Sequence, residues 1–183
     1  HIQLFDQRML LMHAASFAEL RRELIERLGL DRTRELLTRL GYQQGFEDGQ
    51  RVRALDLPDM NQALAMGPRL REMEGFVRNQ PIRAIGFDIA RGEFHGDYYW
   101  AASWEAQAHL EQVGVSGAPA CWIMGGYADG YSTAVTGLPI HWRETECVAM
   151  GHAHCRVIGR PLGDWDDLGE HETRFLQIDT FVG

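Results

Sequence analysis

The stretch from Cys121 to Cys155 constrains this chain more than any other. It holds all three cysteines of the 183-residue sequence, Cys121, Cys147 and Cys155. Two carboxylates, Glu144 and Glu146, and three histidines, His141, His152 and His154, lie among them. An odd number of thiols does not suit a disulfide framework. Thiols held free or on a metal suit a reducing compartment, so the cytoplasm is the expected location. Zinc takes four ligands from Cys, His and carboxylate in a tetrahedron. Three thiolates need one more donor, and the spacing leaves Glu144, Glu146, His141, His152 and His154 open. Glu144 lies three residues before Cys147, so on a flat strand their side chains face opposite ways. Both reach one ion only if a bend or bulge falls between them. A site closed by four protein ligands has no position for water and is structural. The bland alternative is three buried cysteines acting as small hydrophobes.

The rest of the composition fits a folded domain, with 45% apolar residues and five tryptophans. One domain, or one domain with a helical extension, is expected at this length. A net charge of -8 argues against direct contact with nucleic acid. No apolar run approaches the roughly 20 residues that cross a bilayer. The first residues do not form a signal peptide, and without an initiating Met the chain reads as a fragment.

Periodicity predicts a helix over residues 5–29, with Leu10, Leu11, Ala14, Phe17, Leu20, Leu24 and Leu28 at helical spacing. Gly29 stops it, and Asp31 opens a second helix through Phe46. Gly41 and Gly45 on that helix would let another backbone approach. Asp59 caps a third helix, in which Pro68 is expected to kink or restart the chain. Residues 82–89 and 94–100 read as two strands around an Arg91-Gly-Glu turn. Residues 103–113 read as an amphipathic helix, and 119–135 as a helix rich in Gly and Ala. Short strands follow at 138–145 and 155–158. Residues 161–167 mark an exit.

Aromatic residues crowd this second half. Tyr98 and Trp100 share a face of one strand, and Tyr127 and Tyr131, four apart, share a face of one helix. With Trp142 they could enclose a flat apolar ligand, the tyrosine hydroxyls and tryptophan N–H groups orienting it. An ordinary aromatic core is the competing reading.

Several motifs together resemble one family. They are Gly41-Tyr-Gln-Gln-Gly45, Leu64-Ala-Met-Gly-Pro-Arg-Leu70, Cys121-Trp122 with Gly126-Tyr127-Ala128, and Glu144-Thr-Glu-Cys147 followed by Cys155-Arg-Val-Ile-Gly159. The chain resembles the N-terminal sensor domains of the phenol- and toluene/xylene-responsive sigma-54-dependent activators of bacteria, and its later half is similar to the vinyl-reductase-type ligand-binding domain. The resemblance implies an α+β fold. A helical dimerisation segment (1–30) would precede an α/β sensor domain with small antiparallel strands (31–165) and the start of a linker to a downstream ATPase (166–183). It implies a homodimer that binds a small aromatic effector and relieves repression of an AAA+ ATPase, activating aromatic-catabolism genes. It also implies one structural zinc on Cys121, Glu144, Cys147 and Cys155. That choice selects Glu144 and leaves His152 and His154 as exposed turn residues.

Carried over in the same way, Trp100, Tyr98, Tyr127, Tyr131, Trp142 and Leu64 line the effector pocket. In phenol sensors a histidine follows the Gly-Pro-x-Leu motif and binds the phenol hydroxyl; here Arg71 follows it. An Arg donates hydrogen bonds and accepts none. It would serve an oxygen or phenolate, or pair with Glu72 or Glu74. The resemblance implies no catalysis by this segment. Two other classes remain: a zinc-dependent hydrolase with Glu146 as base, which needs an open metal position, and a dimerisation module without a ligand.

Overall fold

The computed structural model describes residues 1–169 and Glu172. The chain opens with a two-stranded antiparallel hairpin, β1 (Ile2–Leu4) and β2 (Gln7–Met9), turning at Phe5 with φ 52°. Helix α1 starts only at Ala14 and ends at Leu28, so the helix expected from residue 5 loses its first part. The physical reason is tertiary. Leu4 and Phe5 pack against the main core, and the turn residue Asp6 accepts a bond from Arg51 at 2.6 Å. Leu10 and Leu11, which fit the helical period, are 69% and 85% exposed in the extended stretch that follows.

Gly29, at φ 82°, separates α1 from α2 (Leu30–Arg53). Helix α3 (Met60–Met73) is capped as expected, the Asp59 carboxylate accepting from the Gln62 amide at 2.9 Å. It runs through Pro68 without ending there. Strands β3 (Arg78–Asp88) and β4 (Glu93–Ala101) form a hairpin around a short 3-10 turn, where Gly92 takes φ 72°. Helices α4 (Trp104–Gln112) and α5 (Trp122–Thr136) follow, then β5 (Ile140–Glu146) and β6 (Cys155–Pro161). The sheet order is β3-β4-β6-β5, and every neighbouring pair is antiparallel. The result is the expected α+β architecture.

Period-two alternation puts Phe94, Trp100, Val157, Ile140 and Trp142 on the face that packs against helices. Helix α5 is buried along nearly its whole length. It can lie so deep because glycines let it interlock with α2. A Cβ on Gly41 would stand 2.8 Å from the Ile123 carbonyl carbon, and one on Gly45 would stand 2.9 Å from that of Tyr127. Gly126 and Gly130 accept the α2 backbone in the same way.

Helix α1 is tied to this body by Arg21. Its guanidinium donates to Glu105 Oε1 at 3.0 Å and to the Ala120 carbonyl at 2.8 Å, and lies 3.7 Å over the Trp122 ring. Glu105 is fully buried and accepts from the amides of Ile123 and Met124 at 3.0 and 2.9 Å. A carboxylate there meets the free N–H groups and the positive end of α5. Among the described residues no helix is long and apolar enough to cross a membrane.

Candidate functional site

Two features share the scaffold of α5, β5 and β6. The first is the cysteine cluster. Cys121 sits at the N-cap of α5, Glu144 near the end of β5, Cys147 just past it, and Cys155 opens β6. One ligand atom from each lies within 4.8 Å of every other. The Cys121 and Cys155 sulfurs are 3.7 Å apart, and those of Cys155 and Cys147 3.9 Å. The bend that the spacing demanded is present, because the β5–β6 register slips between Glu144 and Glu146.

The donor set fits a cation. All three thiols are buried, and Glu144 Oε1 is buried without a hydrogen-bond partner, while Oε2 accepts from the Cys121 amide at 3.1 Å. Burial pushes both the Glu144 carboxyl and the Cys121 thiol well up. Such donors ionise together only beside a positive charge. The other candidates stand apart. Glu146 faces Arg156 at 3.7 Å, His154 lies against the Tyr99 ring, and His152 is exposed with Nδ1 3.2 Å from the Cys147 amide.

The second feature is a cavity. Leu64, Arg71, Tyr98, Trp100, Tyr127, Tyr131 and Trp142 all line it, and the space open to the centre of a water-sized sphere is about 40 Å³. Its walls are held firmly. Tyr127 and Tyr131 stack at 5.8 Å; the first donates to Asp48 Oδ2 at 3.2 Å and the second to the Ala63 carbonyl at 2.5 Å. Trp142 donates its backbone N–H to Asp129 Oδ1 at 2.6 Å and its ring N–H to Ser132 Oγ at 2.9 Å. Its indole lies on Gly159, where a Cβ would stand 2.5 Å from the ring.

Arg71 is only 1% exposed. It pairs with Glu74, donates to Gln44 Oε1 at 3.3 Å, and lies 3.8 Å over the Tyr127 ring. Glu72, the other partner considered for it, accepts from the Asn79 amide instead.

Sequence reasoning missed Asp48, Asp129 and Ser132, which fix the aromatic rings. Polar residues inside an apolar helix such as α5 were the available signal, because a buried polar group is there for a partner. It also missed what lies behind Trp142. The neighbouring His141 places Nδ1 2.9 Å from Asp129 Oδ2 and Nε2 3.2 Å from Glu172 Oε1. Burial alone would lower the His141 pKa, but the two carboxylates outweigh it and raise it to about 9. Arg143 donates to Glu172 and to Asp167, both at 2.8 Å, and lies over the Trp165 ring. The exit segment is therefore clasped to the back of the strand that carries Trp142 into the cavity.

Comparison with known proteins agrees with this geometry. Residues 1–88 match the family described as activator of aromatic catabolism, and residues 100–161 match the 4-vinyl reductase domain. The chain is 41% identical over 178 residues to the phenol regulator MopR of Acinetobacter guillouiae, covering 96% of this chain and 31% of that protein. It is 34% identical to the transcriptional regulatory protein XylR of Pseudomonas putida, covering 95% and 31%. It thus spans about a third of the length of these relatives. The crystal structure of the phenol-responsive sensory domain of the transcription activator PoxR with phenol superposes with a TM-score of 0.89 at 41% identity, covering 96% of this chain and 87% of that one. The chain belongs to the family of N-terminal sensor domains of phenol-responsive transcription activators.

Proposed function

We propose that this chain senses a small aromatic effector for a bacterial transcription activator, rather than acting as an enzyme. The observation that carries the reading is the convergence of five aromatic side chains, Leu64 and Arg71 on one cavity beside the cysteine cluster. A single ring fits between the Tyr127–Tyr131 stack and the indoles of Trp100 and Trp142, with phenol, toluene and benzene as the candidate class. The four clustered donors would hold one structural zinc, Cys121, Glu144, Cys147 and Cys155 tying the start of α5 to the β5–β6 hairpin. When bound, the ion supplies the charge that keeps the thiolates ionised and joins the two elements that wall the cavity. A hydrolase reading needs a base beside an open metal position, and Glu146 is instead drawn to Arg156.

In the whole protein, residues 1–30 (now a hairpin plus α1) would form the homodimer contact. Residues 31–165 would form the sensor, and 166–183 would start the linker to an ATPase in the cytoplasm. The part of that linker beyond Glu172 lies outside the described residues. Effector binding would shift α5 and β5 and, through the His141–Glu172 clasp, the exit segment. An effector moves that balance only by its differential affinity for the two states. Calorimetric titration of phenol, toluene and benzene into the chain tests the reading. Saturable heat from at least one is expected; no heat and no thermal shift with any of them would overturn it.

A further inference from the structure

The polar groups around the cavity are unequally engaged. Tyr127, Tyr131 and Trp142 already donate to Asp48, Ala63 and Ser132. Arg71 Nε is buried without a partner, and neither the Trp100 ring N–H nor the Tyr98 hydroxyl has one among the described residues. Arg71 and Trp100 donate and cannot accept. Asn79, whose Nδ2 donates to the Pro68 carbonyl, and the Tyr98 hydroxyl are the groups left to accept.

We propose that this cavity selects neutral aromatic molecules bearing an oxygen that accepts a hydrogen bond, and that Arg71 enforces the selection. The proposal rests on the aromatic-sensing reading and specifies its ligand. A buried donor without a partner costs free energy that a ligand oxygen recovers and a methylene does not. An ether, a carbonyl or an un-ionised phenol oxygen fits. A hydrocarbon fills the apolar walls but leaves Arg71 Nε unmet.

Neutrality follows from the charges already present. Arg71 is paired with Glu74 and lies in the field of Asp48, which Tyr127 also engages. An anionic effector would enter a dry site with two carboxylates around one cation, and losing its hydration there is unfavourable.

Calorimetry with anisole, ethylbenzene and benzoate tests this. Anisole and ethylbenzene have nearly the same shape, with an oxygen in one where the other has a methylene, and neither donates a hydrogen bond. For the unmodified chain, anisole should bind about tenfold tighter than ethylbenzene, the effect of one hydrogen bond. Benzoate should bind at least about 100-fold more weakly than anisole. In the double variant R71M/E74M, which removes both ends of the buried pair and leaves no lone charge, the first two should converge to within about twofold. Equal affinities in the unmodified chain would overturn the proposal. So would an oxygen preference that survives in the double variant, or benzoate binding as tightly as anisole.

If the double variant shows no cooperative unfolding, the Nε–H resonance of Arg71 in the unmodified chain decides. A shift with anisole and none with ethylbenzene is expected, and no shift with either refutes the role of Arg71. Binding without any oxygen preference defeats this proposal alone. Failure of every aromatic tested, phenol and toluene included, defeats the sensing reading itself.

Discussion

Gly125 and Gly126 are adjacent in α5, yet alanine should act on them in opposite directions. A Cβ on Gly126 would stand 2.9 Å from both the Thr38 carbonyl carbon and the Tyr42 amide nitrogen, and closer still to Thr38 O. Ordinary contact begins at 3.4 Å, so α2 and α5 must part by at least 3.4 minus 2.9, or 0.5 Å, and further to clear the oxygen. The obstructing atoms are backbone and cannot turn aside. The neighbouring approaches at Gly41, Gly45 and Gly130 must open with it. Overpacking of this kind costs about 3 kcal/mol, the upper part of the usual range. The gain in helix propensity from Gly to Ala returns about 1 kcal/mol. Gly126→Ala should therefore destabilise by about 2 kcal/mol and lower Tm by roughly 4–8 °C for a chain of this size. A Cβ on Gly125 meets nothing within 4 Å. There the propensity gain stands alone, and Tm should rise by roughly 2–4 °C. Thermal unfolding followed by circular dichroism separates the two. Equal rises in Tm for both variants would refute the claim that backbone contact between α2 and α5 holds the cavity wall.

The metal cluster and the clasp give further expectations. Cys155→Ala should yield a poorly folded, metal-free chain, because an ion bound by this set contributes to folding itself, on the order of 10 kcal/mol; metal analysis and a normal unfolding transition in the variant would contradict it. The clasp predicts a pH effect of definite sign. His141 has its pKa raised from 6.5 to about 9, so its stabilisation is fully present below the ordinary value and lost as pH rises through about 9. The stability advantage of the unmodified chain over His141→Asn should be largest near about pH 6 and vanish near about pH 10. A difference that stays constant across that span in denaturant titrations would exclude the charged clasp.

Sequence and structure agree best where the pattern is local. The Asp59 cap, the β3–β4 hairpin and the face shared by Tyr127 and Tyr131 all follow from short-range rules. The α1 boundary did not follow, because Leu10 and Leu11 keep a helical period without any surface to pack on. Arg21 and Glu105 were also invisible. They are 84 residues apart, and nothing in their local setting distinguishes them from solvated charges until three helices converge.

The amino-acid order by itself determined that three thiols and a carboxylate fall in one segment, that a bend must separate Glu144 from Cys147, and that two tyrosines share a helix face. Spacing alone left the fourth donor open, and family resemblance pointed to Glu144. Only the tertiary structure brought Cys121 across to the β5–β6 hairpin and set Arg71 between Tyr127, Gln44 and Glu74. The reason is distance along the chain. Covalent geometry and periodicity act over a few residues, whereas the cluster joins positions 34 residues apart and Arg71 meets Gln44 across 27. Those meetings depend on how closely α5 can settle against α2, which the glycines permit and the folded packing decides.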